Sequence, residues 1–281
     1  MILVTGATGN IGSAVLEKLV EAGQPVCVLA RDPAKLEKHG GAFEIVKGDL
    51  ARPETLDAAF AGVDKLFLLA TVPDLPRLAG NAIDAAKKAD VKHVVFVSSA
   101  AEPRIQIGRW HAEAEAKLKA SGIVWTILQP GAFASNTLWW VGSIKAQGAV
   151  FQPWGDGKTT PIDPRDIADV AVKALTSPGH ENKVYALTGP EALSAADQLA
   201  KIGAAIGRPL RLVDVPEDAV REGMLKQGRP EVMVNAMLEA MALVKAGHGS
   251  EATDTVEQLL GSKARTFDVW LKDHVKAFTS P

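Results

Sequence analysis

Gly6, Gly9 and Gly12 stand three residues apart in Val4-Thr5-Gly6-Ala7-Thr8-Gly9-Asn10-Ile11-Gly12, directly after the apolar triplet Ile2-Leu3-Val4. The run leads into Ala14-Val15-Leu16-Glu17-Lys18-Leu19-Val20, which has helical periodicity and closes at Gly23. Strand, glycine turn and helix in that order build an anion site. The first N–H groups of a helix have no partner within it, and that end carries a partial positive charge. Glycines let the chain turn sharply and let a diphosphate approach without a Cβ in the way. The spacing is Gly-x-x-Gly-x-x-Gly rather than the commoner Gly-x-Gly-x-x-Gly of dinucleotide sites, so the flanking strand and helix carry the reading. The candidate contacts are Gly6, Thr8, Gly9, Asn10, Ile11 and Gly12.

Other side chains suited to chemistry are few. His111 stands near the start of a helical stretch at 109–121. An imidazole there can protonate or hydrogen-bond a developing phenolate near neutral pH, or pair with Glu115 one turn on. Lys117 on the same stretch can bond ribose hydroxyls, or pair with Glu113 on a solvated face. Six tryptophans accompany one tyrosine. Trp110, Trp139, Trp140 and Trp154 lie in segments that follow strand ends, with Phe133 and Asn136 beside them; together they would wall a site for a flat aromatic ligand. The alternative for Trp139 and Trp140 is packing of lobe against sheet. Trp125, inside a strand, reads as core, and Cys27 as a buried small hydrophobe. Asp163, before Pro164, reads as a helix cap. The histidines at 39, 93, 111, 180, 248 and 274 show no metal-ligand spacing, and Gly-x-Ser-x-Gly is absent.

These residues need a frame. Short, nearly continuous apolar strands at 25–30, 43–46, 65–69, 93–97 and 123–128 alternate with helical stretches at 54–60, 74–90 and 109–121. That alternation predicts a doubly wound parallel sheet of Rossmann type covered on both faces. Past Pro130 the pattern loosens. It predicts a helix at 136–147, a Gly/Pro-rich loop at 152–164, a helix from Pro164 to Leu175 and a strand at 183–187. Ser194 caps a helix to about Ile206, and helices near 216–226, 230–246, 253–260 and 265–278 close the chain. The expected division is a nucleotide domain over 1–130, with returning elements at about 149–190, and a smaller, mostly helical substrate lobe over 131–281.

Ligands of such sheets bind outside the carboxyl ends of the strands. Ala70-Thr71, Ser98-Ser99 and Pro130 follow three of those ends and are expected to face the cofactor. Asp49-Leu50 would lie by an adenine, with Asp49 accepting from its amino group or merely shaping a turn. Arg31 is the first polar residue past the second strand. A guanidinium there suits a ribose 2′-phosphate, so NADP is preferred; Asp32 in a shifted register would suit NAD.

The glycine run, Arg31, Gly48-Asp49-Leu50, His111-x-x-x-Glu115, the segment Ser121 to Gly131 and Gly179-His180-Glu181-Asn182-Lys183-Val184-Tyr185 resemble the NmrA-like branch of the atypical short-chain dehydrogenases. The likeness is strongest to its triphenylmethane-dye reductase, azoreductase and quinone-reductase-like members, and is firm to about residue 190. It implies NADPH- or NADH-dependent reduction of quinones, azo compounds or cationic dyes; some relatives only sense the nucleotide. One departure stands out. The Tyr-x-x-x-Lys acid of many short-chain dehydrogenases is missing: Glu113 precedes Lys117 by four, and the one tyrosine is Tyr185. Quinones and delocalised cations accept hydride with little help from an acid, so the expectation is a reductase of quinone-like or extended aromatic acceptors, polycyclic aromatic metabolites among them. The alternative is a non-catalytic NADP-binding regulator.

Composition excludes other classes. The 281 residues carry net charge −2, from 31 basic and 33 acidic residues interspersed, which gives no case for nucleic acid or an anionic membrane surface. No run approaches the ~18 apolar residues of a membrane span. A single cysteine permits no intrachain disulfide, and because the sequence runs at once into its first strand no signal peptide is expected. A cytoplasmic protein, monomer or homodimer, acting on a small aromatic molecule is expected.

Overall fold

The computed structural model describes residues 1–36, 42–153 and 155–279. In chain order the elements are β1 (Ile2–Val4), α1 (Asn10–Glu21), β2 (Val26–Ala30), β3 (Glu44–Lys47), α2 (Leu56–Ala59), β4 (Lys65–Leu68), α3 (Leu75–Lys88), β5 (His93–Val97), α4 (Gln106–Ala120) and β6 (Val124–Pro130). They continue with α5 (Val141–Gln147), β7 (Ala149–Gln152), β8 (Lys158–Thr159), α6 (Pro164–Thr176), β9 (Lys183–Leu187), β10 (Leu193–Ser194) and α7 (Ala195–Ala205). Last come β11 (Arg211–Asp214), α8 (Glu217–Lys226), α9 (Glu231–Lys245), α10 (Thr255–Leu260) and α11 (Phe267–Thr279).

Seven strands form one sheet in the order β3-β2-β1-β4-β5-β6-β9. Every pairing from β3 across to β6 is parallel. Parallel strands buried on both faces must be apolar throughout, and β1 and β5 are buried at every position. The order turns about β1, with β2 on one side and β4 on the other, which is the topological switch where such sheets take a nucleotide. The helices dock by one stripe each: Ile11, Val15, Leu16 and Leu19 of α1, and Ile167, Val170, Ala171 and Ala174 of α6, are buried.

The chain divides into two compact units. Unit 1 comprises 1–104, 108–130 and 164–186, and holds the main sheet. Unit 2 comprises 105–107, 131–163 and 187–281. Its core gathers Phe267, Trp270, Leu271 and Phe278 of α11 with Leu199 and Ile202 of α7 and Ile144 of α5. Trp270 stacks on His274 at 4.4 Å. A smaller cluster joins Met237 and Met241 of α9 to Val220 and Met224 of α8.

The element boundaries depart from the sequence reading at several points. The stretch read as a helix at 54–60 is a 310 turn over Pro53–Thr55 followed by the single turn of α2. Residues 136–147 likewise split into 310 turns over Ala134–Trp140 and α5, which stops at Gly148 with φ +60°. The helix read from 109 starts at Gln106, because Gly108 lets the loop before it lie against the first turn; a Cβ there would stand 1.9 Å from the Glu102 carbonyl oxygen. The second half is less purely helical than read. β7 pairs in parallel with β11, and β8 antiparallel with β10. Strands of two to four residues are too short to show a period of two.

At the amino edge of the sheet, His93 is buried and its Nε2 lies 2.9 Å from Thr126 Oγ1. Thr126 donates its hydroxyl hydrogen to the His180 carbonyl at 2.6 Å, so His93 Nε2 must be the donor in the first bond. Burial, helped by nearby Lys65, pushes the His93 pKa down to about 4. Folded and unfolded chains both hold this histidine neutral above its ordinary value of about 6.5. As pH falls from there towards 4, the unfolded chain takes up a proton that the folded one refuses, so stability is lost with falling pH, on the order of 3 kcal/mol at most. Urea midpoints at pH 7.5 and pH 5 should therefore differ less for His93→Gln than for wild type. Equal differences in the two proteins would remove His93 from the account.

Candidate functional site

The turn after β1 is a tight cradle. Gly6 has φ +68°, a left-handed conformation that suits glycine. A Cβ on Gly12 would stand 2.2 Å from the Gly6 carbonyl oxygen, whereas one on Gly9 would meet it at 3.4 Å. Thr5 pins the base of the turn: its Oγ1 accepts the Leu69 N–H at 2.8 Å and donates to the Leu69 carbonyl at 3.0 Å. Gly9, preceding α1, has no side chain with which to cap the helix, and no acidic residue occupies the first turn. Thr8, Gly9 and Asn10 are exposed, with Ile11 and Gly12 buried behind them. A helix start left open in this way receives an anion. The cradle a Cβ would fill is the observation that fits the diphosphate of a dinucleotide.

Parallel pairing puts the carboxyl ends of β1 to β6 on one edge. Arg31, exposed, follows β2, and Asp32 precedes a 310 turn over Pro33–Lys35. After β3, Asp49 Oδ1 accepts the Ala51 N–H at 2.9 Å and the Asp49 N–H donates to Thr55 Oγ1 at 3.0 Å, so Asp49 shapes a turn with one carboxylate oxygen. The Leu50 carbonyl accepts from Asn81 Nδ2 at 2.7 Å. Ala70 and Thr71 follow β4, just before a cis Val72–Pro73 peptide. Ser98 and Ser99 follow β5; Ser98 is buried, and Ser99 Oγ accepts the Ala101 N–H at 3.1 Å. Pro130 ends β6, its carbonyl accepting the Ala100 N–H at 3.0 Å.

His111 of α4 is half-buried, with Nδ1 3.4 Å from Ser98 Oγ. Burial pushes its pKa down to about 4, with Glu115 only partly opposing. At neutral pH the ring is uncharged. The helix-surface pairing of His111 with Glu115 is not formed; Glu115 binds Ser98, Gln129 and Lys119 instead. Lys117 differs from its sequence reading too. Its Nζ reaches across to Asp84 of α3 at 2.7 Å, over Gly80, and not to Glu113. It ties two helices together. Trp110 is half-buried; Trp125, read as core, lies at its margin with Lys119 Nζ 5.5 Å above the ring. Tyr185 is engaged by His180, its hydroxyl 3.0 Å from Nδ1.

In unit 2, Phe133 bridges Ile162, and the Asn136 N–H donates to the Phe133 carbonyl at 3.0 Å. Trp139 is 60% exposed, with the Arg229 guanidinium 5.5 Å over its ring. Trp140 corrects its sequence reading as a pocket residue: it is 7% exposed and belongs to the unit 2 core, where the 310 turns point it inward. Trp154 and His39 lie outside the described residues. Asp163 is buried, and so is Asp166. Thr5 and the Ser98–Glu115–Gln129 cluster were not foreseen. Thr5 was within the glycine run, and Glu115 one helical turn from His111, but their partners lie on other strands.

The profile of the NAD(P)H-binding family matches residues 6–178. The chain is 44% identical to the NAD(P)H azoreductase of Xenophilus azovorans, over 99% of both chains. It is 40% identical, again over 99% of both, to the (4-alkanoyl-5-oxo-2,5-dihydrofuran-3-yl)methyl phosphate reductase of Streptomyces griseus. The crystal structure of the NADPH-dependent quinone oxidoreductase of Escherichia coli complexed with NADPH superposes with a TM-score of 0.87 at 26% identity, over 97% of this chain and 99% of that one. The chain belongs to the NAD(P)H-binding family, in the NmrA-like branch of the atypical short-chain dehydrogenases. It is an NAD(P)H-dependent oxidoreductase, which disfavours the regulator reading.

Proposed function

We propose that the protein reduces quinone-like or other extended aromatic acceptors by direct hydride transfer, with NADPH preferred over NADH. The observation that carries this reading is the state of the two side chains best suited to act as acids, Tyr185 and His111. Tyr185 is held by His180, and His111 is uncharged at neutral pH, so the reaction must suit acceptors that take hydride without a strong acid. Bound nucleotide supplies the hydride. The chain supplies position: the open start of α1 holds the diphosphate, Arg31 the 2′-phosphate, Asp49 and Leu50 the adenine side, and Ala70, Thr71, Ser98, Ser99 and Pro130 the nicotinamide side. His111 and Trp110 face the acceptor. A quinone then gains one hydride, and its second hydrogen as a proton from water. That one relative is an azoreductase and a structural neighbour a quinone oxidoreductase supports a flat, conjugated acceptor. A single cysteine, Cys27, buried and with no second cysteine to pair with, supports a reducing compartment such as the cytoplasm. Among the described residues no helix is long and apolar enough to cross a membrane.

Stopped-flow mixing of protein, NADPH and a panel of quinones tests this. Rapid NADPH oxidation is expected; tight NADPH binding with no turnover on any acceptor would overturn the proposal. A further expectation concerns pH. A group titrating at about 4 keeps one charge state from pH 6 to 8, so His111 imposes no inflection on kcat there. The profiles of wild type and His111→Ala should have the same shape, and an inflection near pH 6.5 lost in the variant would restore His111 as a proton donor.

A further inference from the structure

Glu115 is 7% exposed, a depth at which a carboxylate needs partners. It has three. Oε1 accepts from Ser98 Oγ at 2.6 Å and from Gln129 Nε2 at 2.7 Å. Oε2 accepts from Lys119 Nζ at 3.1 Å. An ionised carboxylate only accepts, and a serine hydroxyl has one hydrogen to give. The short bond to Oε1 uses that hydrogen. Towards His111 Nδ1, 3.4 Å away, Ser98 Oγ therefore offers a lone pair. The ring nitrogen that meets it must carry the hydrogen of the imidazole.

We propose that Glu115 is a positioning residue: acting through Ser98, it holds His111 with its hydrogen on Nδ1 and leaves Nε2 as an acceptor. Free histidine side chains favour the opposite tautomer, so the arrangement is imposed. Its consequence rests on the reading of His111 as a group facing the acceptor. Nε2 takes a hydrogen bond and gives none, so the site favours a reducible ring that bears its own hydroxyl over the same ring without one.

15N NMR of histidine-labelled full-length protein at pH 7.5 reads the tautomer without turnover, so it decides the first claim even if the reductase reading fails. Wild type should show His111 with a pyrrole-type Nδ1 and a pyridine-type Nε2. Ser98→Ala should move it towards hydrogen on Nε2, and Ser98→Thr, which keeps the hydroxyl, should restore the wild-type pattern. Hydrogen on Nε2 in wild type, or a pattern that Ser98→Ala leaves unchanged, would overturn the proposal. The second readout is the ratio of kcat/KM for 6-hydroxy-1,4-naphthoquinone, whose hydroxyl has no carbonyl of its own within reach, to that for 1,4-naphthoquinone. Ser98→Ala should lower this ratio roughly two- to tenfold, the worth of one neutral hydrogen bond. A ratio unchanged beside an altered tautomer would overturn the specificity and separate His111 from the acceptor.

Discussion

Gly12→Ala is expected to weaken binding of NADPH and NADH alike, by ~1–3 kcal/mol or roughly five- to 150-fold. The new methyl would stand 2.2 Å from the Gly6 carbonyl oxygen and 2.5 Å from its carbon. Backbone cannot yield as a flexible side chain does, so the turn must open. Opening it moves the N–H groups at the start of α1 away from where they converge on a diphosphate. Gly9→Ala sets the comparison, because its Cβ would lie 3.4 Å from the same oxygen, close to ordinary contact. Calorimetry with both nucleotides on all three proteins checks the ranking, with thermal melts to confirm folding. Equal affinity for wild type and Gly12→Ala would remove the cradle from the binding site.

Arg31→Ala is expected to act on one nucleotide only. It should weaken NADPH by ~1.5–3 kcal/mol, the usual worth of a hydrogen bond to a charged group, and leave NADH nearly untouched. Arg31 stands exposed beyond the end of β2, where the adenosine ribose of a dinucleotide fold lies. A guanidinium offers paired donors to a phosphate that NADH lacks. Together the two variants separate grip on the diphosphate from choice of the 2′-substituent. Equal losses for both nucleotides on Arg31→Ala would refute the phosphate assignment.

What could be read in the chain beforehand depended on how local its cause was. The glycine turn is legible because strand, turn and helix are contiguous and glycine has a reason at each point. β9 is legible as five apolar-patterned residues, and α7 because Ser194 and Asp197 form a reciprocal cap within four residues. Lys117 is a contrary case. Sequence offers Glu113 one turn away, yet Asp84, 33 residues back on α3, takes the ammonium. Trp140 is another: sequence treats the adjacent Trp139 and Trp140 alike, and only the 310 turns over Ala134–Trp140 turn Trp140 into the unit 2 core. β7 and β11 are each four residues long and pair across about 60 residues of chain, a relation no local pattern encodes. The Glu115 cluster joins the end of β5, the end of β6 and one helix, and only the sheet brings those together.

The make-up of unit 1 bears on how the protein is made. α6, residues 164–176, packs against α1, and Lys18 of α1 pairs with Asp169 of α6 at 2.6 Å. The helix that follows the glycine turn therefore leans on one synthesised some 150 residues later, after the excursion through 131–163. On the ribosome the glycine turn is translated well before α6, the wall it leans on. Shortening the chain after Pro130 would remove α6 and leave α1 without the helix it packs on.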